Sequence, residues 1–216
     1  MTSPDPRSDL GFVLVASPFT GPFAWSKIAT RLRGGGARVE VHGVDAELAA
    51  PVVLVAHSGG GPRLPSLAAE RAGVVGAVYV DALLPHPGRS WSETVPEKFA
   101  TRLRAGAADG KLLPWPQWWG DDRMRELIPD DTLRDAFVHG CPSVPVQWID
   151  EVMPEIPEPP AVFVQLSEAY TPETEAAHAH GWPVIVLDAD HLAVLTRPDE
   201  IAAAIVQAAD LLPAAD

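Results

Sequence analysis

A doubly wound α/β domain with a mostly parallel sheet of about six strands is the fold class this sequence predicts, on three observations. Six short runs rich in Val, Ile, Leu and aromatics recur along the chain, and several are apolar with almost no alternation, as suits strands covered on both faces by helices. Helix-like stretches separate them, giving a βαβα rhythm. The chain of 216 residues is 47% hydrophobic and 21% charged, a globular balance at a length that suits one domain over 1–216.

The strand runs are Phe12–Ala16, Ala37–His42, Val52–His57, Val78–Asp81, Val162–Leu166 and Val184–Leu187. The helical stretches are Trp25–Leu32, Pro65–Ala72, Pro172–His180 and Pro198–Leu211, the last with Asp199 and Glu200 in its first turn, where carboxylates favour the helix dipole. From about 86 to 160 the rhythm breaks. That interval has no good strand, but it has amphipathic stretches at Ser92–Ala105, Asp121–Leu127 and Asp131–Val138, many prolines, and five of the seven tryptophans. It reads as a helical lid inserted after the fourth strand, its rings serving either as a small core or as substrate contacts.

Sixteen Lys and Arg against 29 Asp and Glu leave a net charge of −13, which repels phosphate backbones and anionic headgroups. Nucleic acid and membrane are therefore not expected as partners; a small-molecule substrate is, and the oligomeric state is not legible. The single cysteine, Cys141, has no internal disulfide partner, and no Cys/His spacing suggests a metal site. No cofactor is implied. The N-terminus lacks an apolar targeting segment, so the expected location is the cytoplasm.

The chemistry concentrates at strand ends. Val53-Leu54-Val55-Ala56-His57-Ser58-Gly59-Gly60-Gly61 places a serine between small residues where a buried strand turns into a helix, the pattern of a nucleophile elbow, with Ala56 standing where the strict pattern has Gly. A phosphate loop would need a Lys-Ser/Thr ending or spaced glycines, which this segment lacks. A serine hydroxyl needs a base, and His191, after the sixth strand in Leu187-Asp188-Ala189-Asp190-His191, stands at the carboxyl end where open α/β sheets place their sites. His57, inside the buried strand, reads as structural.

These features, with Thr20-Gly21-Pro22-Phe23-Ala24-Trp25 after the first strand and a lid beginning near Leu84-Pro85, resemble the α/β-hydrolase superfamily over nearly the whole chain. The resemblance is greatest to the small plant-type methylesterase and hydroxynitrile lyase branch and to short bacterial relatives. It implies a hydrolase fold lacking the first two strands, with sheet order second, first, third, fourth, fifth, sixth. It also implies a catalytic triad with two candidate acids. In many relatives the acid follows the fifth strand, where Glu168 falls one residue early; some members instead use the end of the fourth strand, here Asp81. A carboxylate closing an apolar strand demands a partner, so Asp81 is preferred.

The family's oxyanion hole uses the backbone N–H after the nucleophile, here Gly59, and one from the loop after the first strand, where the alignment puts Pro18, which has no N–H. A one-residue shift to Phe19 N–H, or a hydroxyl from Ser17 or Thr20, are the substitutes. Hydroxynitrile lyases carry a hydroxyl at the Ser17 position but a lysine after the histidine, where this chain has Leu192, so cyanohydrin cleavage is not expected. Phe19, Phe23, Trp25, Trp91 and Trp118 are expected around the mouth, which suits a small apolar ester, lactone or thioester. The alternatives are a non-hydrolytic enzyme of this fold, doing proton-transfer, lyase or cyclase chemistry with His191 as base, and a binding module using the aromatic pocket.

Overall fold

The structure, a computed structural model, describes residues 10–213. Its centre is a six-stranded parallel sheet of β1 (Gly11–Val15), β2 (Arg38–Val41), β3 (Val52–Ser58), β4 (Val74–Ala82), β5 (Ala161–Gln165) and β6 (Val184–Val186), in the order β2-β1-β3-β4-β5-β6. All seven residues of β3 are buried. Successive residues alternate between two cores: Val53, Val55, Val78 and Val80 face one, and Leu54, Ala56, Ala77 and Tyr79 the other. Helices α1 (Ser26–Gly34), α8 (Ala193–Thr196) and α9 (Pro198–Asp210) cover the first face, while α2 (Leu64–Glu70) and α7 (Thr171–Ala179) cover the second.

Between β4 and β5 the chain makes α3 (Glu97–Ala105), α4 (Pro116–Trp119), α5 (Asp121–Leu127) and α6 (Asp131–Gly140) and adds no strand to the sheet. Its aromatic residues join the larger core. Phe19, from the loop after β1, is the hub: its ring centroid lies 5.0 Å from those of Trp118 and Trp148 and 5.5 Å from that of Trp91.

The differences from the sequence reading have local causes. The stretch Ser92–Ala105 divides at Pro96, whose missing N–H cannot continue a helix, into a 3₁₀ turn at Trp91–Glu93 and α3. Trp25 belongs to a 3₁₀ turn at Pro22–Trp25 ahead of α1. Strand β4 begins four residues earlier than expected, running through Gly76, where any side chain would meet Leu212 at 2.7 Å and the Pro160 carbonyl at 2.9 Å. The glycine that weakens the sequence signal is what lets α9 close on the sheet. Strand β6 stops at Val186 and is only partly buried, as an edge strand. Among the described residues no helix is long and apolar enough to cross a membrane.

The turn after β3 packs against the end of β4 with no room to spare. A Cβ at Gly61 would sit 2.0 Å from the Leu83 carbonyl oxygen. Gly61→Ala therefore forces the two segments apart and is expected to cost about 1–3 kcal/mol, a fall in Tm of roughly 3–10 °C measured by calorimetry. An unchanged Tm would contradict this packing.

Candidate active site

The site is assembled where five strand ends meet. At the end of β3 the chain turns through Ser58 at φ 55°, a left-handed conformation that non-glycine residues rarely adopt. Asp81, at the end of β4, has φ 41°. Such conformations cost on the order of 1–3 kcal/mol each and persist where the surroundings over-determine them. Here the register of β3 against β4 shifts between His57 and Ser58, and the Ser58 carbonyl accepts from Leu83 N–H at 3.0 Å. The two strained residues are thus held side by side.

Asp81 is wholly buried and fully satisfied. Its Oδ1 accepts from Leu166 N–H at 2.9 Å and Ser167 N–H at 3.0 Å; its Oδ2 is 2.7 Å from Ser167 Oγ and 2.8 Å from His191 Nδ1. Burial alone would raise its pKa, but the hydrogen bond and charge of His191, with the Ser167 donors, outweigh it and hold the carboxyl below its usual value. Glu168 is exposed in the 3₁₀ turn Glu168–Tyr170; the carboxylate on His191 is Asp81.

His191 is fixed from three directions. Its backbone carbonyl is 2.9 Å from His57 Nε2, which must therefore carry a proton and donate. The His57 ring stacks on the His191 ring at 4.5 Å. On the other side Tyr170 lies parallel to His191, with 5.0 Å between centroids and 6° between planes, and burial pushes its phenol pKa up while the Ser58 side chain works against that shift. Ser58 is 4% exposed. With Nδ1 committed to Asp81, Nε2 is the ring nitrogen left to face chemistry.

On the β1 side, a Cβ at Gly59 would lie 3.1 Å from Ser17 Oγ and 3.0 Å from the Phe19 ring, so the loop after β1 closes directly over the turn. Phe19 N–H, one of the expected donors, points to Ser17 Oγ at 3.2 Å. Ser17 is buried, and having accepted from Phe19 its hydroxyl proton is free to donate. The Thr20 hydroxyl is buried with no partner among the described residues.

The five expected wall residues are placed elsewhere, Phe19 as the packing hub of the insertion. Trp25 is completely buried, its indole N–H on the Val15 carbonyl at 3.0 Å and its ring edge-on to His57, so it supports the site from beneath. Trp91 and Trp118 pack on Phe19 as the core of the insertion, and Phe23 is half-buried against Gly140. The cavity in front of His191, about 690 Å³, is walled instead by Trp115, Trp119, Tyr170, Glu168 and Glu173. Nothing periodic in the sequence marks Tyr170 or Trp115. Asp190 accepts from Leu192 N–H at 2.8 Å. No group of three or more His, Cys, Asp or Glu among the described residues is placed to hold a metal ion.

His57 carries a pH signature. Burial and the neighbouring His191 push its pKa down to about 3. Between that value and about 6.5 the unfolded chain binds a proton that the native site refuses, so stability falls as pH is lowered through this window. Urea unfolding from pH 7 to pH 4 is expected to show this slope, shallower by up to one proton in His57→Gln; equal slopes would contradict a neutral His57.

The chain matches the model of the alpha/beta hydrolase family over residues 2–204. Among solved structures it is similar to an extracellular α/β-hydrolase from a Paenibacillus species (21% identity, 92% of this chain and 98% of that one, TM-score 0.72). It is also similar to a polyneuridine aldehyde esterase (17% identity, 94% and 100%, TM-score 0.67). A third similar structure is a variant of tomato methylketone synthase I (16% identity, 94% and 98%, TM-score 0.65). At such identities the likeness is one of fold. A search of curated proteins finds no match. A parallel sheet in this order, with a serine turn after its third strand and the family match spanning most of the sequence, makes the protein a member of the alpha/beta hydrolase family.

Proposed function

We propose that the protein is a serine hydrolase acting on a small, largely apolar ester, lactone or thioester, with Ser58 as nucleophile, His191 as base and Asp81 as the orienting acid. The observation that carries this reading is the 2.8 Å hydrogen bond between His191 Nδ1 and Asp81 Oδ2, made by a histidine whose own carbonyl is fastened to the residue preceding Ser58. That bond fixes the tautomer that leaves Nε2 as acceptor for a serine proton.

In the reaction, the Ser58 hydroxyl turns to Nε2. His191 takes its proton as Oγ attacks the substrate carbonyl, and Asp81 stabilises the imidazolium without taking the proton. The negative oxygen meets Gly59 N–H and, in place of the donor Pro18 lacks, the Ser17 hydroxyl, held in position by Phe19 N–H. His191 then returns the proton to the leaving group, and water releases the acyl group by the same steps. The aromatic walls of Trp115, Trp119 and Tyr170 favour an apolar acyl or alcohol portion.

A fluorophosphonate probe with peptide mapping tests the nucleophile. Wild type is expected to label at Ser58 and Ser58→Ala not at all, with esterase activity lower by at least about 10³-fold; a folded wild type that does not label contradicts the proposal. Asp81→Asn is expected to keep the fold and lose about 10²–10⁴-fold in kcat. Ser17→Ala is expected to lower kcat by about 10²-fold with little change in KM, whereas a matched rise in KM would make Ser17 a binding group rather than an oxyanion donor.

A further inference from the structure

The three rings stacked through the site give Tyr170 a place that the triad does not explain. The strand order puts β1 on one side of β3 and puts β4, then β5, on the other. Ser17 and Gly59, the groups placed for the developing oxyanion, lie on the β1 side. Tyr170 arrives from the β5 side, in the turn that leads into α7, and lies flat on His191. The histidine side of a serine nucleophile is where the leaving group departs, because His191 is the group that must hand it a proton. Tyr170 also walls the cavity in front of His191.

The turn carrying Tyr170 is fixed by the site itself. Leu166 N–H, Ser167 N–H and Ser167 Oγ, only three and four residues upstream, are all bound to the same Asp81 carboxylate that orients His191. One buried anion therefore sets the position of the imidazole and of the phenol together.

We propose that Tyr170 is a further catalytic residue, whose phenol O–H hydrogen-bonds to the leaving-group oxygen beside His191. This rests on the serine-hydrolase reading above. With its ring flat on His191 and its face on the cavity, the phenol reaches the substrate oxygen that departs on the histidine side as the Ser58 Oγ–carbon bond forms. When the tetrahedral intermediate collapses, the bond from carbon to the leaving oxygen breaks with its electron pair going to that oxygen. The proton that His191 took from Ser58 is delivered there from Nε2. Tyr170 lends a hydrogen bond and keeps its own proton, a role its environment favours because burial pushes the phenol pKa up.

A leaving group that needs no help should not notice the loss of this hydroxyl. The test compares kcat/KM of wild type and Tyr170→Phe on p-nitrophenyl butyrate and ethyl butyrate, which share an acyl group and differ only in the alcohol. Tyr170→Phe keeps the ring on His191 and removes only the hydroxyl. The expected result is a loss of about 10²-fold on the ethyl ester and less than about 3-fold on the p-nitrophenyl ester. Fluorophosphonate labelling of Ser58 expels fluoride, so its rate is expected to stay within about 3-fold, which also reports that the variant folds with its nucleophile intact. Equal losses on the two esters, or a parallel loss of labelling, overturn the proposal and make the hydroxyl structural. A gain on both esters overturns it by making Tyr170 an obstruction. A wild type that neither labels nor hydrolyses either ester defeats the serine-hydrolase reading itself.

Discussion

The rest of this site depends on one buried carboxylate. Asp81 has no contact with solvent, ends an otherwise apolar strand, and is stable there only because every acceptor position is used. Two backbone N–H groups and a hydroxyl from the segment after β5, and one imidazole from the segment after β6, converge on it. These segments share no regular secondary structure with β4, so the carboxylate does for the loops what the hydrogen-bond ladder does for the strands. The left-handed turn at Asp81 is the conformational cost of pointing that group sideways across the sheet edge.

A second constraint works from the opposite direction. His57 is on β3, immediately before Ser58, and its donated hydrogen bond holds the backbone of His191 rather than its ring. Asp81 aims the imidazole while His57 sets where the imidazole is attached. Stacking on both faces then limits its rotation. The helical insertion contributes less to this geometry than its tryptophans suggest. Phe19 gathers three of those rings into a core that presses on the loop holding Ser17, so the insertion bears on that side of the site through packing.

Much of this was legible in the sequence, because parallel strands buried on both faces announce themselves as apolar runs and small residues mark the turn after β3. The strand order came from what the resemblance to the α/β-hydrolase superfamily implied, and of the two acids it offered, Asp81 was preferred over Glu168 because a buried charge needs a partner, which His191 supplies. What escaped was set by three-dimensional placement alone. Trp25, Trp91 and Trp118 have the same composition signal as Trp115 and Trp119, and only the packing decides which rings fill a core and which face a cavity. Tyr170 lies in a short turn with no periodicity, and its meaning comes entirely from Asp81 fixing that turn. The beginning of β4 was missed because Gly76 carries no side chain to signal burial, although contact is what keeps it glycine.

The central claim is that Asp81 orients His191 to act on Ser58, and proton NMR of the His191 ring tests it most directly. The Nδ1–H held by Asp81 is expected as a far-downfield exchange-protected resonance, absent in Asp81→Asn and in His191→Ala, that moves when Ser58 is phosphonylated. No such resonance, or one indifferent to modification of Ser58, would contradict the account.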